Sequence, residues 1–172
     1  MTPRMLSHVR VGVTLAVLLG LLWFAVDRGL GAVTEPFPRS EDPPVCVDSP
    51  VDRGEVVLPD GVTVSVVNAG RTSGLAGRTL DDLVARGFAR GELANIRDDG
   101  VTSAQIWVSG GRSPAVRLVR SYLGDDVRVV ERESSVAGVT VVVGDEFAGV
   151  RDGRPRVKAG AAGEVCGPPE LA

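Results

Sequence analysis

The chain has 172 residues, 24% of them charged and 44% hydrophobic, with a formal net charge of -3. A chain of that length holds one modest core, so one globular domain is expected. The acidic balance and the lack of any Lys/Arg cluster along the sequence argue against a nucleic-acid surface, which depends on concentrated positive charge.

Residues 1–10 form a short tail, expected in the cytoplasm. Val11 to Val26, "VGVTLAVLLGLLWFAV", is uncharged and lies between Arg10 and Asp27-Arg28. Segment 11–28 reads as a transmembrane signal anchor. The apolar run is a little short for a hydrocarbon layer of about 30 Å, but His8, Val9 and a snorkelling Arg10 or Arg28 extend it, and Trp23 suits an interface. A cleavable signal peptide has the same ingredients, although no A-x-A pattern follows "GLGA" at a favourable distance. Arg4 and Arg10 before the span and Arg28 and Arg39 after it leave the positive-inside count near balance.

The cysteines orient the chain. Cys46 and Cys166 flank everything that looks folded, in Pro/Gly-rich ends and without metal-type spacing. A structural disulfide is the natural reading, and it requires an oxidising compartment. The rival is a thiol redox pair, but no Lys, Arg or His stands next to either cysteine to lower its pKa. The expectation is therefore a single-pass protein of the cell membrane with its C-terminal domain outside. Residues 29–60 carry Pro36, Pro38, Pro43, Pro44, Pro50 and Pro59 and read as an extracytoplasmic tether. Residues 151–172, rich in Gly, Ala and Pro, read as an irregular tail stapled back by the disulfide.

The domain between them, 61–150, reads as five strands and two helices. Val62, Val64 and Val66 alternate with Thr63 and Ser65. A helix from Gly74 to Arg86 places Ala76, Leu80, Leu83 and Val84 on one face, with Gly87 as its stop. Glu92 to Arg97 and Ser103 to Val108 flank Asp99-Gly100, a tight-turn signal that predicts an antiparallel hairpin. Ser113 caps a second helix with Pro114 in its first turn, and Ala115, Leu118, Val119, Tyr122 and Leu123 line one side before Gly124. Val127 to Glu131 and Gly138 to Val143 complete the set. The fold class is α/β: a βαββαββ two-layer sandwich with two helices on one face of a mixed sheet, preceded by one transmembrane helix.

The stretch "VSVVNAGRTSGLAG" joins a strand to a helix through glycines, a context that forms anion sites when amides converge. Neither G-x-x-x-x-G-K-[ST] nor G-x-G-x-x-G is present. Arg71 is able to pair with a phosphate or carboxylate, while the plainer reading is a turn whose glycines permit tight geometry.

"VTVSVVNAGRTSGLAGRTLDDLVARGF" and the later "GVTVVVGDEFAGV" together resemble the LytR C-terminal domain family. That family's pattern is a valine strand, Asn-Gly-small, Gly-Leu-Ala, a helix ending in Gly-Phe, and a closing strand before Gly-x-Asp/Glu-Phe. Ala69 stands where the family usually has Gly. The resemblance covers Val62 to Val150. It implies an envelope role, since members occur at the C-termini of cell-wall glycopolymer ligases and as stand-alone single-span envelope proteins, including a type called envelope integrity proteins. The catalytic ligase domain has no counterpart here.

No enzyme signal stands beside it. The only histidine, His8, precedes the membrane segment, which removes Ser-His, Cys-His and His-metal chemistry from the exported part. Asp81-Asp82, Asp98-Asp99, Asp125-Asp126 and Asp145-Glu146 are pairs of oxygen donors, but neighbouring acids on a helix or strand point apart and at turns are usually solvated. No cofactor is expected.

Strand alternation sends Thr63, Ser65, Gln105, Trp107, Arg128 and Thr140 to the sheet face away from the helices. An indole on a polar sheet suits a sugar ring or a partner. Equally, the tether or tail is able to cover it. The expected ligand or partner surface comprises Asn68, Gly70, Arg71, Gln105, Trp107 and Arg128. The expected function is a non-enzymatic, membrane-anchored domain that binds cell-wall polymer, peptidoglycan or attached glycan, or a membrane-bound envelope protein, without nucleic acid. The alternative is an anion- or nucleotide-dependent enzyme using the glycine-rich turn.

Overall fold

A computed structural model describes residues 3–34, 44–97, 100–110, 113–124 and 126–169, with side chains in the first helix described from 12 to 27. The chain divides into two compact units, Met1–Asp42 and Pro43–Ala172.

The first unit contains one helix, α1 (Pro3–Thr34). Its described side chains are all exposed, Leu15, Leu18, Leu22 and Trp23 among them. Among the described residues, no helix is long and apolar enough to cross a membrane. The expected element is present as a helix, and the expectation that it spans a membrane is not supported.

The second unit is built on a five-stranded sheet in the order β4-β3-β7-β5-β6, comprising β3 (Thr63–Asn68), β4 (Ala89–Asn95), β5 (Ala104–Val108), β6 (Arg128–Glu131) and β7 (Val139–Val143). Helix α2 (Leu75–Ala85) joins β3 to β4, and α3 (Pro114–Leu123) joins β5 to β6. Each strand–helix–strand pair is parallel. β7 lies between the two strand–helix–strand pairs, parallel to β3 and antiparallel to β5. The sheet is therefore mixed, in the expected βαββαββ order.

The hairpin expected around Asp99-Gly100 does not form. β4 pairs with β3, and β5 pairs with β6 and β7. A helix crossover returns each chain beside the strand it left, so α2 carries β4 to the outer edge of the sheet. Asp98 and Asp99 lie outside the described residues.

Both helices pack on the same face, sharing one apolar cluster with Val64, Val66, Ile106, Val141 and Val143. α2 contributes Ala76, Leu80 and Leu83; α3 contributes Ala115, Leu118, Val119, Tyr122 and Leu123. Burying one such large side chain stabilises the fold by about 1.5–3 kcal/mol. The Ser113 hydroxyl caps α3 by accepting from Val116 N–H at 3.3 Å. Gly87 follows α2 at φ +97, a conformation that ends a helix and that L side chains rarely adopt.

The ends of the unit are more ordered than expected. β1 (Val47–Val51) pairs antiparallel with β9 (Gly163–Gly167), and β2 (Val56–Val57) pairs with β8 (Val157–Lys158). A short 3-10 turn, Pro59–Gly61, leads into the sheet. Tail 151–172 is thus not irregular throughout, and the latter part of the tether, 44–60, is folded. The sequence hid this because the chain ends complete each other's ladders across 120 residues of separation, while the strands are short and interrupted by Pro and Gly.

Candidate functional site

The glycine-rich turn after β3 is tied to the turn after β7. Asp145 accepts hydrogen bonds from Arg71 N–H (2.9 Å to Oδ1, 3.0 Å to Oδ2), from Thr72 N–H (2.8 Å) and from the Thr72 hydroxyl (2.7 Å). Asn68 organises the same turn from within: its Oδ1 accepts from Gly70 N–H at 3.0 Å and its Nδ2 donates to the Thr72 carbonyl at 3.0 Å. Gly70 is required by proximity, since a Cβ there would stand 2.5 Å from Asp145 Oδ1. The donated hydrogen bonds, those from Arg71 N–H foremost, hold the Asp145 carboxyl below its ordinary pKa.

This answers the question posed by the strand–turn–helix sequence. The amides that resemble an anion site do receive an anion, and it is the protein's own carboxylate. The Arg71 side chain is fully exposed and only grazes Asp145, Nε to Oδ2 at 4.0 Å. Such a surface pair contributes little.

The second sheet face is not open. Thr63, Ser65 and Thr140 are buried, and Trp107 is 7% exposed. Trp107 packs with Val67, Val142 and Val101, and with the partly buried Ile96 and Val136. The cover comes from the β4–β5 and β6–β7 connections. The Ser65 hydroxyl fixes one of them, donating to the Ala137 carbonyl at 2.6 Å while accepting from Glu92 N–H at 2.9 Å. Glu92 in turn accepts from Ala137 N–H at 2.8 Å.

The Trp107 indole N–H donates to Gln105 Oε1 at 3.1 Å, and the Arg132 guanidinium lies 4.1 Å from the ring centroid. The expectation of an available aromatic platform is corrected: the indole is a core group of a second, smaller cluster. Arg128 is exposed and pairs in register with Gln105, at the sheet edge. Of the six expected surface residues, Asn68, Gly70 and Arg71 cluster at one turn, Gln105, Trp107 and Arg128 belong to two adjacent strands, and the two groups are not one site.

Cys46 and Cys166 are joined in a disulfide, with Cα atoms 5.4 Å apart, beside the β1–β9 ladder. Of the paired acids, Asp81 bonds Arg90 and Asp145 bonds the turn, whereas Asp98, Asp99 and Asp125 lie outside the described residues. Among the described residues, no three His, Cys, Asp or Glu side chains are grouped to hold a metal ion.

One feature escaped the sequence reading. Arg117 and Arg120 on the outer face of α3 meet Arg151 and Arg154 of the segment after β7, around an open groove of about 630 Å³. The sequence lacks a Lys/Arg run, but i, i+3 spacing in "VRLVR" and the stretch "RDGRPR" were the available signals.

Fold and site define a small α/β domain whose strand–helix turn is latched by its own closing carboxylate and whose ends are stapled by a disulfide. The chain belongs to the LytR C-terminal domain family, described as LytR cell envelope-related transcriptional attenuator, whose model matches residues 61–147. The match begins just before β3 and ends two residues after Asp145, so it encloses both halves of the latch. No curated protein and no solved structure matches the chain. The family places the chain in a cell-envelope context and is described as regulatory.

Proposed function

We propose that the protein is a non-enzymatic, single-pass membrane protein with a cytoplasmic N-terminus, whose exported domain binds cell-wall polymer or an envelope protein and so supports envelope integrity. The observation that carries this reading is the Cys46–Cys166 disulfide, which closes the folded unit and forms in an oxidising compartment. The envelope-related family supports a role at the cell envelope. The described apolar side chains of α1, all exposed, support membrane attachment, with Arg10 and Arg28 extending the reach of a short apolar run.

The enzymatic alternative placed a nucleotide or other anion at the turn containing Gly70 and Arg71. It is disfavoured because Asp145 occupies the amides such a ligand needs. The test is fractionation of cells expressing the full chain, with a non-reducing gel for the disulfide and sedimentation with purified sacculi. An oxidised, membrane-associated protein that sediments with sacculi supports wall binding. A reduced, freely soluble protein overturns the reading.

A further inference from the structure

We propose that the arginine groove between α3 and residues 151–154 binds a polyanion, a polymer bearing phosphodiester or carboxylate groups along its length. The proposal rests on the envelope reading only in that such a polymer is met outside the membrane.

Charge is the first observation. Among the described residues, four arginines and one aspartate, Asp152, line the groove, although the chain as a whole carries -3. Asp152 is turned to Arg86, 3.7 Å from its Nε. Arg117 and Arg120 also line a second groove, of about 460 Å³, that continues toward Arg128 and carries one acid, Asp126. The basic track is therefore longer than one small anion, which is the observation that selects a polymer.

Construction is the second. Like charges on neighbouring turns of a helix repel, and the fold nevertheless fastens a further pair against them. Arg151 N–H donates to the Tyr122 carbonyl at 2.8 Å, and Arg154 N–H donates to Ser121 Oγ at 3.0 Å. The Tyr122 hydroxyl donates to the Arg154 carbonyl at 3.0 Å. Gly153 lies flat on Tyr122, where a Cβ would stand 2.5 Å from the ring. Tyr122 is itself anchored in the core, its ring edge-on to Phe88 at 5.0 Å. Arg117 Nη2 donates to the Lys158 carbonyl at 2.7 Å, fixing the side chain. These bonds hold the main chain that carries Arg151 and Arg154, and the Arg117 guanidinium itself, in place before any ligand arrives, which lowers the ordering cost of binding. Planar guanidiniums suit paired acidic oxygens better than ammonium groups do. Arg151 and Arg154 lie beyond the family match, so the groove joins the family's domain to this chain's own extension.

The test uses the full chain in neutral detergent, titrated with labelled inorganic polyphosphate, with inorganic phosphate and dihexanoyl phosphatidylglycerol as competitors. The expected result is binding that weakens steeply with salt, with polyphosphate at least about tenfold tighter than either competitor. Arg120→Gln/Arg154→Gln should weaken it at least about tenfold, while Arg53→Gln/Arg97→Gln, equal in charge change, should leave it unchanged. Arg154→Gln alone, at an exposed side chain, should still weaken it severalfold if the double variant folds poorly. Equal losses in both double variants, or a lipid headgroup that competes as well as the polymer, overturn the proposal. Sacculi separate the two readings: sedimentation untouched by Arg120→Gln/Arg154→Gln overturns the groove alone, and polyphosphate binding without sedimentation overturns wall binding alone.

Discussion

Asp145 and Thr72 are joined twice, through the Thr72 amide at 2.8 Å and its hydroxyl at 2.7 Å, across 73 residues of sequence. With Arg71 N–H this closes the turn after β7 onto the turn after β3. Asp145→Asn keeps the shape but replaces one acceptor oxygen by a donor that faces other donors. The expected outcome is a Tm lower by several degrees with the fold retained, measured by circular dichroism; an unchanged Tm would show that the latch is incidental.

The same carboxylate makes stability pH-dependent. Its folded pKa is lowered from 3.8, chiefly by the Arg71 amide, so its contribution is fully present above the unfolded value. It is lost as pH falls below about 4 and through the lower folded value. Asp145→Asn should flatten that part of the acid limb while leaving the region above pH 5 parallel to wild type. Parallel curves throughout, in urea melts at stepped pH, would contradict the assignment.

Trp107 is a stability residue. Trp107→Ala empties the second cluster and removes the indole bond to Gln105, at an expected cost of about 3–5 kcal/mol in chemical denaturation. Trp107→Phe keeps most of the apolar contact and should bind sacculi or polyphosphate as wild type does. A folded Trp107→Phe protein that loses binding would restore the aromatic platform.

The disulfide closes a long loop, its cysteines separated by 120 positions in sequence. Cys46→Ser/Cys166→Ser should destabilise the unit by about 5 kcal/mol in the chain-entropy model. The β1–β9 ribbon should loosen first, visible as faster amide exchange at Asp48 and Val165 than at Val64 or Val141. Uniform exchange along all four would mean that the ribbon holds without its staple.

The elements were legible where local chemistry decides them. The Ser113-Pro114 start and Gly124 stop of α3, the spacing of Ala76, Leu80 and Leu83 and the glycine after Arg86 all speak within a few residues. The burial of the second face left a trace that alternation obscured: Val66-Val67 and Val141-Val142-Val143 are consecutive, as strands covered on both sides are. All six positions of β3 and all five of β7 are buried. Reading only every second valine as inward left Trp107 apparently open.

The sequence by itself determined the order of the elements between residues 61 and 150, the extents of α2 and α3, the cysteine pair and the family, because each depends on neighbouring residues or on a motif carried in one stretch. Tertiary structure alone decided that β4 goes to the edge, that β7 enters the middle, that Asp145 fills the glycine-rich turn and that four arginines share a groove. Those outcomes rest on contacts between segments tens of residues apart, whose geometry is set by crossover handedness and joint packing. No local pattern encodes which distant acid a backbone amide will meet, or which arginines a buried tyrosine will hold side by side.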